Sequence, residues 1–116
     1  MRFAVLLFFF LSHSLIAQNE VIENQLVKTE NSYEFTRYYV NGQIAQRGPI
    51  KNKKLHGVWV SYSPEGKKVS QGTFKKGKKT GKWFFWNEEG LIEADFNENK
   101  LVSAVSWDKG KILADN

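Results

Sequence analysis

The chain has 116 residues, a formal net charge of +5, 15% aromatic residues and no cysteine. That length suits one domain with a modest core. The lack of cysteine excludes a disulfide framework, a thiolate metal site and a cysteine-linked lipid anchor, and the basic balance favours anionic over cationic partners.

Residues 1–17 read as a secretory signal. Arg2 supplies a positive start, and Phe3 to Leu11 is an unbroken apolar run too short to cross a bilayer. Cleavage after Ala17 is the first expectation; cleavage after Ser14 and an uncleaved N-terminal anchor are the alternatives. Residues 18–32, QNEVIENQLVKTENS, are polar without sustained period. They offer little apolar surface against ordering entropy and are expected to form a flexible lead-in.

From Tyr33 the pattern becomes strands and turns, and 33–116 is expected to form one domain. Tyr33 to Tyr38 alternates, Asn41-Gly42 marks a turn, and Ile44 to Ile50 returns. Pro49 places the end of that strand at an edge or a bulge. Lys51 to Lys54 turns. Val58, Val60 and Tyr62 then share one strand face, with Trp59 and Ser61 on the other. Ser63-Pro64-Glu65-Gly66 is a turn by composition, Lys67 to Phe74 returns, and Lys75 to Lys79 turns again. Lys82 to Trp86 places Phe84 and Trp86 opposite Trp83 and Phe85. Leu91 to Phe96 and Leu101 to Trp107 form a last hairpin, with a short strand expected at Lys111 to Leu113. These seven or eight strands, with turns every 8–12 residues, predict an all-β antiparallel meander.

The strands repeat. Gly42, Gly66 and Gly90 are 24 residues apart, as are Trp59, Trp83 and Trp107, and as are Tyr38, Tyr62 and Trp86. A fixed interval of this size marks a repeat architecture. Gly48/Gly72 and Gly57/Gly81 share the spacing without a third member. Two full units, 38–61 and 62–85, precede a worn terminal unit, 86–107, in which two residues are lost after Gly90 and two gained before Trp107. The stretches YYVNGQIAQRGPIKNKKLHGVW (38–59) and YSPEGKKVSQGTFKKGKKTGKW (62–83) resemble the MORN repeat, in particular its bacterial form, the YwqK-like antitoxin repeat. WNEEGLIEADFNENKLVSAVSW (86–107) departs from it, with no glycine just before Trp107. The resemblance implies β-hairpins stacked into an elongated sheet. It also implies a protein-interaction or assembly module, with membrane association in some members, and no catalytic residues.

The residues show no independent catalytic set. His13 falls in the signal segment, and His56, in a turn, has no second ligand for zinc. No nucleophile elbow or phosphate loop is present, and no cofactor or metal is expected. The recurring aromatics are expected to be core. Phe85 stands where the preceding unit has Ser61, which makes it a candidate for contact with a partner. Residues 47–82 hold eleven cations against one acid, a net of +10, whereas 83–116 hold three against seven. Lys75, Lys76, Lys78, Lys79 and Lys82 are the candidate anion or partner surface, or else protect strand edges. The expected function is an exported, non-catalytic binding or scaffold module for a protein partner or a second copy. Binding of anionic envelope lipid or acidic glycan, and antitoxin action, are the alternatives. Nucleic acid is disfavoured, because lysine without clustered arginine does not read bases and the signal leads out of the cytoplasm.

Overall fold

The computed structural model describes residues 21–108. Nine strands form one open antiparallel sheet: β1 (Val21–Lys28), β2 (Tyr33–Tyr39), β3 (Ile44–Lys51), β4 (Lys54–Leu55), β5 (Gly57–Tyr62), β6 (Lys68–Lys75), β7 (Lys78–Asn87), β8 (Gly90–Asn97) and β9 (Lys100–Asp108). Strand order follows chain order, with the short β4 paired to the end of β3. The signal segment and the strand expected at 111–113 lie outside the described residues.

Two kinds of turn alternate along the sheet. At one end, three-residue loops close on Gly42 (φ 89°) and Gly66 (φ 91°). The amide of Gly42 donates to the Tyr39 carbonyl (3.0 Å), and that of Gly66 to Ser63 (2.9 Å). At the other end, Asn52-Lys53, Lys76-Gly77 and Glu98-Asn99 all have positive φ, the signature of two-residue type I′ hairpins. Turns of one kind then bond to each other. Gly77 N donates to the Leu55 carbonyl (2.8 Å), and Asn99 N to the Lys79 carbonyl (2.9 Å). Donors 22 residues apart meet acceptors 24 apart, so the two-residue loss in the last unit lies between these turns.

The core is a row of aromatic rings on one sheet face, here the Trp59 face. Phe35 lies 6.0 Å from Trp59, Trp59 6.2 Å from Phe74, Phe74 5.0 Å from Trp83, and Trp83 6.2 Å from Phe96. The last three pairs are edge-on, the arrangement that ring quadrupoles favour. Trp59 and Trp83 retain only 3% and 4% of their surface. A single-layer sheet can bury an indole that deeply only by removing a side chain beneath it. Gly48 and Gly72 do so: a β-carbon on either would overlap the indole of Trp59 or Trp83, 11 residues later. Each indole N–H then donates to the carbonyl just after its glycine, Trp59 to Pro49 (2.9 Å) and Trp83 to Thr73 (3.1 Å).

Three expectations are corrected. Residues 21–28 are not a flexible lead-in but the edge strand β1, paired with β2 from Val21↔Tyr39 to Lys28↔Tyr33. Leu26 and Val27 remain half exposed, so backbone pairing rather than burial holds this strand, and its composition does not advertise it. Pro49 is not at a sheet edge, since β3 lies between β2 and β5. The ladder to β5 is interrupted there, the irregularity that is the other expectation for Pro49. Pro49 offers no N–H, His56 N donates to its carbonyl (3.1 Å), and Gly57 (φ 86°) crosses close to its ring. Trp107 does not continue the Trp59–Trp83 series. Its cross-strand neighbour Leu91 also faces Trp86, which puts all three on the opposite face. The residue 11 positions before it is Phe96, which leaves no space for an indole.

Gly72→Ala is expected to cost about 3 kcal/mol or more in urea unfolding, by forced overpacking against Trp83. Gly81→Ala, at φ 69° with open space around it, is expected to cost only about 1 kcal/mol of backbone strain. Equal costs would contradict the packing account.

Candidate functional site

The lysines that cluster in sequence divide in space. Strand alternation sends Lys79 to the Trp59 face, where its ammonium lies 5.6 Å from the Trp83 ring and 5.5 Å from the Phe96 ring. It acts there as a lid on the aromatic row. Lys82 points to the opposite face, 3.7 Å from Glu93 and 3.5 Å from Asp95. Those carboxylates sit on β8, directly across from Phe84 and Lys82, so much of Lys82's charge is answered locally. Lys75, Lys76 and Lys78 remain at the type I′ end, all exposed. Lys51, Lys53 and Lys54 of the preceding turn join them, because Gly77 N donates to the carbonyl of Leu55, next to Lys54, and the Lys54 side chain lies beside that glycine. Among the described residues, only Lys78 of these six has an ion-pair partner, Glu98 at 3.8 Å. Such an exposed pair is worth well under about 1 kcal/mol. The basic surface is therefore the stacked ends of two hairpins, 51–54 and 75–78, and not the run 75–82.

Phe85 is half-buried and lies on the Trp59 face. It stacks on Trp83 (6.0 Å, 20° between planes) and shares a cross-strand row with Ser70 and Ser61. The aromatic pair free of the core row is Phe84 with Trp86, stacked at 6.0 Å and 23° on the opposite face. Around it lie Leu91, Trp107 and Val105, the last 49% exposed. Trp107 is pinned by its indole N–H, which donates to Glu93 (3.1 Å). The extra aromatic at Phe85 drew attention from its neighbours in the sequence. The alternation of Phe84 and Trp86 against the buried Trp83 was the usable signal.

His56 has a structural part. Its Nδ1 accepts the Lys76 amide (3.3 Å) and ties one turn to the next. Tyr38, Tyr62 and Trp86 serve the glycine-turn end, where Tyr39 also matters: its hydroxyl donates to the Tyr62 carbonyl (2.7 Å), and the Asn41 amide to the Pro64 carbonyl (2.8 Å). Burial pushes the Tyr39 hydroxyl above its ordinary pKa, helped by the Glu65 charge and opposed by Arg37. Among the described residues, no three His, Cys, Asp or Glu side chains are placed to hold a metal ion.

A family model described as a MORN repeat variant matches residues 55–76. The match begins at the last residue of β4, spans β5, the Gly66 turn and β6, and ends in the lysine turn. The chain carries a MORN-type repeat. No curated protein and no solved structure matches the chain.

Tyr39→Phe is expected to cost about 1 kcal/mol at neutral pH through the lost hydrogen bond. The raised tyrosine pKa favours the neutral hydroxyl in the folded state, so its stabilisation is complete below the unfolded-state value near 10 and fades as pH rises through the folded value. Urea midpoints should accordingly fall more steeply above pH 10 for the parent protein than for Tyr39→Phe. Parallel curves would remove the tyrosine from this account.

Proposed function

We propose that this chain is an exported, non-catalytic module that holds a protein partner, a second copy included, against the Phe84 face of its sheet. The repeat type supports a binding role, since MORN units serve protein or membrane interactions. The repeated Tyr-x-x-x-Gly and Gly-x-Trp frame supports placing it with the bacterial form. Residues 1–17 support export. The observation that carries the reading is the Phe84–Trp86 stack with Leu91, Val105 and Trp107. The sheet has one layer, the aromatic core row occupies the other face, and no described element covers this one. An aromatic patch rimmed by ion pairs such as Lys82 with Glu93 and Asp95 has the make-up of a protein interface.

A second reading rests on a separate observation. Six lysines meet at the ends of two bonded hairpins, which concentrates positive potential on one edge of the molecule. That edge suits an anionic lipid surface or acidic glycan of the envelope. Nothing in the geometry favours a toxin over any other protein partner.

One experiment separates these readings. The full chain, tagged at its C-terminus, is expressed and recovered from the cell envelope at low and high salt, with N-terminal sequencing and light scattering of the product. The interface reading predicts a mature start at Gln18 and a defined partner or dimer that survives high salt. The complex should be lost in Phe84→Ser/Trp107→Ser and kept in Lys75→Glu/Lys76→Glu/Lys78→Glu. Binding that is lost in the charge variant and at high salt, and indifferent to Phe84, would replace it with the anionic-surface reading.

A further inference from the structure

The Trp59 face carries a feature that the repeat does not need. Near its β1 end, Leu26, Phe35, Ile50, Leu55 and Trp59 line an open cavity of about 890 Å³. That is within the size range of small-molecule sites. Arg37 stands in the wall, its guanidinium carbon 5.7 Å from the centre of the Phe35 ring. Its Nε is buried and has no hydrogen-bond partner among the described residues. The other arginine of this region, Arg47, is answered by Glu34 at 3.3 Å. Glu34 pairs with Pro49 and so points to the opposite face, out of reach of the cavity. The acid in the cavity lining is Glu30, in the turn between β1 and β2, whereas Lys28 and Lys53 line it too and leave its potential positive.

A guanidinium drawn into an apolar wall without a carboxylate is a cost to folding, and repeat architecture does not require it. One unit later the same row holds Ser61, and two units later Phe85. Desolvation also lowers the Arg37 pKa from its usual value, although an arginine keeps its proton at any ordinary pH. The donor is thus permanent, partly stripped of water, and placed beside an aliphatic and aromatic surface. Its natural complement is an anion with a flat pair of oxygens and an apolar body.

We propose that this cavity binds a single-chain apolar carboxylate of the fatty-acid type. The carboxylate accepts hydrogen bonds from the outer N–H groups of the Arg37 guanidinium, which stands in the cavity wall, while the buried Nε leaves that guanidinium without a protein partner on its inner side. The chain lies along Leu26, Phe35, Ile50 and Leu55. The site is on the face opposite the Phe84 patch and stands or falls independently of the partner reading.

Calorimetry of the purified protein with sodium decanoate, decanol and decylammonium chloride, each below its aggregation concentration, tests this directly. Decanoate should bind one per chain, at least about tenfold more tightly than decanol, with decylammonium weaker still. Arg37→Gln should erase the preference for decanoate, leave decanol binding unchanged and not lower the thermal midpoint. That last readout distinguishes a ligand-binding arginine from a structural one. Equal binding of decanoate and decanol, an undiminished preference in Arg37→Gln, or no decanoate binding would each overturn the proposal. So would binding of a short apolar peptide through its C-terminus where decanoate fails.

Discussion

An indole lying against a glycine of the neighbouring strand is the constraint from which the rest of this sheet follows. A single-layer sheet has no second layer to bury large side chains, so its rings must sink into the sheet itself. Gly48 and Gly72 open the space, and Trp59 and Trp83 fill it. The indole N–H then closes onto the carbonyl beside the same glycine, so one residue pair sets both depth and register. Burial of each indole contributes on the order of 3 kcal/mol, a large share for a sheet with so few buried side chains. The edge-on rings of Phe74 and Phe96 are carried by strands that this pairing positions. Where the glycine is missing the repeat stops. Phe96 occupies the place of a third glycine, and Trp107 turns to the other face.

The same economy decides where function can reside. Among the described residues, the aromatic row fills most of one face, and the Phe84 patch, the lysine turns and the cavity beside Arg37 lie outside it. Their separation follows from the pleat. Lys79 faces the aromatic row, whereas Lys75 ends β6 at the turn and Lys82 lies farther along β7 across from Asp95, so lysines close in sequence have different neighbours. Stacking of type I′ turns brings Lys54 beside Gly77 across 23 residues.

Much of the architecture was legible in the residues, and the failures have physical causes. Gly42 and Gly66 revealed their turns because positive φ is costly for other residues, and Trp59 and Trp83 revealed their strands by recurring with them. Spacing alone misplaced Trp107, since an aromatic at the right interval is not in the right place without its glycine; the absence of a third partner for Gly48 and Gly72 was the available warning. Strand β1 was hidden because its pairing is by backbone, which polar and apolar residues perform alike. The candidate site was least legible. Phe85 stood out by composition, but face alternation places it beside Trp83 and puts Phe84 and Trp86 on the opposite face. Arg37 carried no signal in sequence, since an unpartnered guanidinium is defined only by what does not surround it.

The central claim is that Gly72 is glycine because Trp83 lies against it, and a double-mutant cycle measures that coupling directly. Urea unfolding of Gly72→Ala, Trp83→Val and the double variant gives the interaction free energy. The account predicts that the alanine is strongly destabilising beside Trp83 and nearly neutral once the indole is gone, a coupling of about 2 kcal/mol or more. An alanine penalty of the same size in both backgrounds would mean that the glycine serves the backbone alone, and the ring-on-glycine account of this sheet would be wrong.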